Sequence, residues 1–323
     1  MKALITGGAG FIGHHLVREL LRKGNGVKVL DDLSKGGLKN LEEFALNPDF
    51  EFTEGDLIDK EIARKAAEDV EVIYHLAAKI GGIGYFHKIP ASLLRDNLEM
   101  ILNVFEAAKN KRIKVVYLSS SMVYEGAKEF PSSEESLKGC SLPSTSYGFS
   151  KLSGEYIARA YNQEFGVPFT IVRPFNAYGP GETPGDYVGY SHVIPDLVKK
   201  ILNEKNGAVE IFGLGNQTRC FTYVEDIASG IALVGEKATD DDFNIGSSEE
   251  IRVDILAKKI WRIIGKNGEP EFRHVDSYRD DVLRRVPDCS KIRKYGWDPA
   301  IPLDKGLETT INWLVQRIKN PCN

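Results

Sequence analysis

The chain predicts an α/β fold, a doubly wound parallel sheet with a smaller C-terminal α/β region. Over the first 173 residues, short β-rich apolar runs alternate with longer helical patterns. The first run passes through Gly7, Gly10 and Gly13 directly into a helix, and beyond Arg173 the texture turns abruptly rich in proline and glycine. Strands that alternate with helices pair in parallel, with helices covering both faces of the sheet.

The elements follow in order. Strands are expected at Ala3–Thr6, Val27–Leu30, Glu51–Thr53, Val72–His75, Val115–Ser119 and Thr170–Arg173, each a β-branched or aromatic run bounded by turn residues. Helices are expected at Phe11–Lys23, Ser92–Asn110 and Tyr147–Glu164, where apolar residues recur at helical spacing. The segment PFNAYGPGETPGDYVGYS carries three prolines and four glycines in eighteen residues, a long loop crossing into a second region. Downstream come a helix near His192–Asn203, a strand at Ala208–Phe212, a helix from about Val224 to Val234 and a terminal helix near Leu303–Ile318. No repeat, low-complexity tract or flexible linker is evident.

Composition bounds the function. A 323-residue chain with 42% hydrophobic residues can bury a large core, and 42 basic against 46 acidic residues give a formal charge of −4. That balance supplies no general pull toward nucleic acid or an anionic membrane. No run of about 18 apolar residues occurs, so a cytoplasmic protein is expected. Cys140, Cys220, Cys289 and Cys322 are scattered without metal-ligand spacing, which predicts reduced thiols and no metal site.

The opening glycines form a nucleotide cradle. Gly7 permits the tight turn, Gly10 lets a pyrophosphate approach the backbone, and Gly13 lets helix and strand lie close, while helix N–H groups face the phosphates. Gly7, Gly10, Phe11, Ile12 and Gly13 are therefore assigned to the cofactor. Asp31 ends the second strand eighteen residues beyond Gly13, placed to bind the adenosine ribose hydroxyls and repel a 2′-phosphate. This favours NAD over NADP, with Lys35 the one nearby base arguing the other way. Asp56 and Leu57 follow the third strand and are assigned to the adenine. HLAA at His75–Ala78 puts Ala77 on the cofactor's path, and His75 is either a contact or a core histidine.

Tyr147 and Lys151 stand four apart in SYGFSK and so share one helix face. A lysine cation beside a phenol lowers the phenol pKa, making it a base for an alcohol that loses hydride. Ser119, Ser120 and Ser121 end the fifth strand, at the sheet edge where α/β folds bind ligands. A serine hydroxyl there can orient the same alcohol.

With these residues in place the chain resembles the extended short-chain dehydrogenase/reductase family, in its nucleotide-sugar epimerase/dehydratase branch. TGGAGFIG, Asp31, Gly55–Leu57, HLAA, SSSMVY, YGFSK, RPFNAYGP, GNQTRCFTYVEDIA and GWDP carry the resemblance along essentially the whole chain. It implies a Rossmann NAD domain over residues 1–173, with 221–245 returning to it, and a nucleotide-sugar region over 174–220 and 246–323. It also implies Tyr147 as base, Lys151 as ribose ligand and pKa modulator, and Ser120 as the orienting hydroxyl. Asn176, Arg219 and Arg285 match substrate diphosphate positions, with Arg284 a competitor for Arg285. A homodimer through the helices Ser92–Asn110 and Tyr147–Glu164 is implied as well.

AAKIGGIGYF and YSHVIPDL resemble segments of GDP-fucose synthase and, in the first case, GDP-mannose 3,5-epimerase. Gly82 would then lie against the sugar, Ser121 would touch substrate, and His192 would be an acid/base. Met122 stands where both families place an acid/base cysteine, and Ser121–Met122 stand where dehydratases place Asp–Glu. Double epimerisation and dehydration are thereby disfavoured, with Lys79 and Cys140 as candidates to supply the missing group. The expectation is a nucleoside-diphosphate-sugar epimerase that recycles tightly bound NAD through a 4-keto intermediate, inverting carbon 4 or one adjacent carbon. The alternatives are an epimerase-reductase of the GDP-fucose synthase type and a non-catalytic NAD-binding regulator.

Overall fold

The structure of the protein is a computed structural model describing residues 1–185, 191–204, 207–277 and 282–319. The first half runs β1 (Lys2–Thr6), α1 (Phe11–Arg22), β2 (Gly26–Asp31), β3 (Phe50–Glu54), α2 (Lys60–Ala66), β4 (Val72–His75), α3 (Ile83–Lys88), α4 (Pro90–Lys109), β5 (Lys114–Leu118), α5 (Ser146–Phe165) and β6 (Phe169–Pro174). The second half runs β7 (Ala177–Tyr178), α6 (Val193–Asn203), β8 (Ala208–Phe212), β9 (Thr218–Cys220), β10 (Thr222–Tyr223), α7 (Val224–Lys237), β11 (Asp241–Ile245), β12 (Glu250–Arg252), α8 (Val253–Ile263), β13 (Glu271–Val275), β14 (Arg284–Arg285), α9 (Ser290–Arg293) and α10 (Leu303–Lys319).

Seven strands form one sheet in the order β11-β6-β5-β4-β1-β2-β3, parallel at every pairing. Its direction of growth reverses between β1 and β4, and Thr6 is in register with both Leu30 and His75. Such a reversal opens a crevice at the carboxyl edge of the strands.

Strand alternation divides the core. Ala3 and Ile5 of β1 pack with Leu16, Val17 and Leu20 of α1 and Ile227 and Ile231 of α7. Leu4, between them, faces the opposite layer with Ile101, Val104 and Phe105 of α4 and Ala158 of α5. A third core joins α6, α8 and α10 through Ile194, Leu197, Leu256, Ile260, Leu307 and Ile311. The chain thus leaves the main sheet after β6 and returns through α7 and β11, whose Phe243 pairs with Val172.

The principal strands and long helices fall where the periodicity placed them, shifted by a residue or two at their ends. The elements β7, β9, β10, β12 and β14 have two or three residues each, too few to carry a period. Helix α8 begins directly after β12 in the β-branched stretch EIRVDI, which hides its start. Cys140, Cys220 and Cys289 are free thiols, and Cys322 lies outside the described residues. Among the described residues no helix is long and apolar enough to cross a membrane.

Candidate active site

A cavity of about 850 Å³ opens at the carboxyl edge of the sheet and reaches from the Gly7–Gly13 turn to Arg219 and Arg285. At its first end, Gly7 has φ of +72°, and a Cβ there would lie 2.7 Å from the Ala77 nitrogen. A Cβ on Gly13 would come within 2.1 Å of the Gly7 carbonyl oxygen. Glycine is therefore required at both places, and the start of α1 stays bare toward the cavity. Phe11, Ile12, Asp56, Leu57 and Ala77 also line this end.

The Asp31 carboxylate accepts from the Ala9 nitrogen at 2.9 Å and the Leu33 nitrogen at 2.8 Å. Burial raises its pKa, and those two bonds oppose the rise. Lys35 donates to the Ile80 carbonyl and so reaches across to the loop after β4. A glycine cradle at a helix N-terminus together with a carboxylate ending β2 fits a dinucleotide with a free 2′-hydroxyl. His75 is a core residue: it is 1% exposed, shares a 2.8 Å hydrogen bond between Nδ1 and Thr6 Oγ1, and stacks on Tyr117.

The three chemical residues meet in the middle of the cavity. Ser120 caps the short turn Ser121–Tyr124 by accepting from the Met122 nitrogen at 3.2 Å, and its hydroxyl acts on the Tyr147 phenol by opposing the rise of its pKa. Thr145 caps α5 by accepting from Gly148 at 3.0 Å, fixing Tyr147 in the first turn. One turn on, Lys151 Nζ donates to the Leu118 carbonyl at 2.8 Å and lies 5.8 Å from the centre of the Tyr147 ring.

Their electrostatics differ from the expectation in one respect. Burial pushes Lys151 down to about 7 and raises Tyr147 above its usual range. The group that opposes the rise of Tyr147 is the Ser120 hydroxyl, not Lys151. A lysine stripped of water is a weak cation, so the same burial disfavours both charged forms.

Other side chains were not foreseen. Phe86 of α3 stacks on Tyr147, with ring centroids 4.6 Å apart and planes 6° apart. No sequence period marks it, because α3 follows an irregular glycine loop. Beneath the site, Glu155 accepts from Ser119 Oγ at 2.6 Å and from Arg173 Nε at 2.8 Å and Nη2 at 2.6 Å. Arg173 is wholly buried and also meets Asp242 at 2.6 Å and the Tyr124 hydroxyl at 3.0 Å. Glu155 lies four residues beyond Lys151, and that helical spacing was the signal available for it.

Gly82, Ser121, Asn176, Arg219, Arg285 and His192 all line the cavity. Arg285 is in register with Arg219 across β14 and β9, whereas Arg284 is held by Glu250 at 2.8 and 2.9 Å outside the cavity lining. Asn176 has φ of +38° and donates to the Cys220 carbonyl at 3.0 Å. His192 caps α6 and contacts Glu182 through Nδ1. Tyr190, which opens the YSHVIP segment, lies outside the described residues. Lys79 lines the cavity with its ammonium on Asp96. Cys140 does not reach the site: its thiol donates to the Ser136 carbonyl at 3.3 Å and packs beside Tyr124 and Phe175, so it cannot replace a missing acid/base group.

Residues 3–246 match the model of the NAD dependent epimerase/dehydratase family. The chain is 33% identical to a UDP-N-acetyl-alpha-D-glucosaminuronate decarboxylase of Bacillus cytotoxicus, over 97% of each chain. It superposes on the UDP-glucose 4-epimerase of Thermotoga maritima solved with UDP-glucose, with a TM-score of 0.86 and 30% identity, covering 98% of this chain and 100% of the other. A dTDP-glucose 4,6-dehydratase from Streptomyces venezuelae, solved with NAD, gives a TM-score of 0.89 at 28% identity, covering 99% of this chain and 98% of the other.

Proposed function

The chain belongs to the NAD-dependent epimerase/dehydratase family with NAD as its cofactor, and from that premise we propose that it is a nucleoside-diphosphate-sugar epimerase working through a transient 4-keto sugar. The observation that carries the reading is the convergence of Ser120, Tyr147 and Lys151 in one cavity with the glycine cradle. NAD, which the Gly7–Gly13 turn and Asp31 would hold, would supply the hydride acceptor and donor for carbon 4 and a positive charge at the site.

Ser120 orients the 4-hydroxyl and Tyr147 Oη takes its proton as the ketone forms. Lys151 holds the ribose side of the site and orders the phenol. Arg219 and Arg285 present guanidinium forks suited to a diphosphate, and Asn176 closes the same end. Gly82 lets backbone approach the sugar ring, and Ser121 faces it from the turn after β5. Met122 carries no exchangeable proton, so no acid/base group stands at that position of the turn. Inversion at carbon 4 needs the ketone to turn its other face to the cofactor site before Tyr147 gives back the proton.

A second fate is favoured by one observation, that His192 lines the same cavity. A ketone at carbon 4 acidifies the adjacent C–H bond, and an imidazole there exchanges that proton. Incubation of the purified protein with UDP-, GDP- and dTDP-sugars in deuterated water, followed by NMR, tests both fates. Inversion with net recycling of NAD supports the epimerase. Stoichiometric consumption of external nicotinamide, or loss of carbon dioxide from a uronic acid, would replace it with a reductase or a decarboxylase.

We also propose a homodimer through α4 and α5. Leu102 on α4 is 40% exposed, and Phe149 and Tyr156 on α5 are 38% and 70% exposed, on two helices that pack together.

A further inference from the structure

Glu182 follows β7, His192 directly precedes α6, and the two meet at the cavity wall. Two nitrogens of His192 converge on one oxygen: the backbone nitrogen lies 3.4 Å from Glu182 Oε1, and the ring Nδ1 is in short contact with the same atom. The Glu182 side chain is 13% exposed, while that of His192 is 43% exposed. The other carboxylate oxygen, Glu182 Oε2, is buried without a hydrogen-bond partner among the described residues. Burying an unsatisfied acceptor costs about 1–3 kcal/mol, a cost native folds keep chiefly at functional places. Glu182 acts in turn on Lys35, opposing the fall that burial imposes on its ammonium.

We propose that Glu182 is a positioning residue that locks His192 as its Nδ1–H tautomer and so makes Nε2 the proton-accepting atom that faces the sugar. An ionised carboxylate can only accept, so the ring nitrogen it touches must carry the hydrogen. The outward nitrogen is then left with its lone pair. In the step this serves, the C–H bond beside the 4-ketone breaks and its electron pair moves into the enolate. The proton forms the new N–H bond at Nε2, and the resulting imidazolium sits against the Glu182 carboxylate. Return of a solvent-exchanged proton restores the ketone. This rests on the reading in which His192 reaches a carbon next to the ketone.

Two measurements on the intact NAD-loaded enzyme test it. The first is ring 15N–1H NMR, with the His192 signal identified by its loss in His192→Gln. The Nδ1–H tautomer is expected in the wild type and a mixed tautomer in Glu182→Gln. The second is solvent deuterium entering the sugar during turnover with a UDP-hexose. Exchange is expected to fall about 100-fold in Glu182→Gln and in His192→Gln, and no further in the double variant. Formation of bound NADH on adding the sugar nucleotide should stay within about twofold of wild type in Glu182→Gln, because Tyr147 performs that step. A wild type that turns over without taking up deuterium overturns the His192 step and the dyad together. Exchange in the wild type with equal exchange, or an unchanged tautomer, in Glu182→Gln overturns the dyad alone. A Glu182→Gln enzyme that loses NADH formation as well overturns it too, by making the residue merely structural.

Discussion

The aromatic ring of Phe86 lies flat on that of Tyr147, 4.6 Å between centroids and 6° between planes. Packing thus holds the phenol from one side, while the Ser120 hydroxyl opposes the burial-driven rise of its pKa. Phe86→Ala removes a wall of the cavity and is expected to cost about 3 kcal/mol of stability. The freed phenol should also lower kcat about tenfold, since a base must stay within hydrogen-bond reach of its proton. Phe86→Tyr keeps the stack and should restore both. Thermal melts and single-turnover NADH formation read the two effects separately, and an Ala variant with unchanged kcat would remove Phe86 from any positioning role.

Tyr147→Phe deletes the base and leaves the ring stack intact. NADH formation should slow by a factor of about 100 to 10,000 with cofactor affinity unchanged. Full turnover by this variant would refute the assignment.

Lys151 carries a pH signature. Burial holds it at about 7 in the folded chain, below its ordinary value of about 10.4 when unfolded. Between those two values the unfolded chain binds the extra proton, so stability rises with pH and is lost as pH falls toward 7. Cofactor-stripped wild type should therefore gain on Lys151→Met by about 1 kcal/mol per pH unit between pH 7.5 and 9. Urea denaturation across that range measures it, and parallel curves would mean that Lys151 keeps its charge.

Arg219 and Arg285 pair across two short strands and both line the cavity. Neither touches the reacting carbon in the proposed scheme, so Arg285→Gln should raise KM for the nucleotide sugar about 10- to 100-fold with kcat little changed. Arg284→Gln breaks the pair with Glu250 and the contact with the Phe130 ring, both outside the cavity, and should leave KM unchanged. The reverse pattern would exchange the roles of the two arginines.

Glu155→Gln leaves the wholly buried Arg173 with Asp242 as its remaining carboxylate partner. A loss of about 3 kcal/mol is expected from the urea midpoint, as for other broken buried pairs. Because Ser119 also donates to Glu155, the turn carrying Ser120 should loosen, and NADH formation should slow with it.

Tyr156→Glu places a charge on the exposed apolar face of α5. Sedimentation should then report a dimer for the wild type and a monomer for the variant, and identical sedimentation of the two would remove that face as the interface.

Features set by local spacing are legible in the chain alone. Alternation along β1 sends Ala3 and Ile5 to one face and Leu4 to the other, and the glycine spacing forces the turn that Gly7 and Gly13 alone can make. Tyr147 and Lys151 were legible for the same reason, because four residues on a helix are one turn. Tertiary structure decided the rest, where partners are distant in the chain. It put Phe86 on Tyr147 and Glu182 on His192, separated Arg285 from Arg284, and took Cys140 out of the cavity. It also set the charge balance at the site, since desolvation depends on everything packed around a group and no spacing of residues records it.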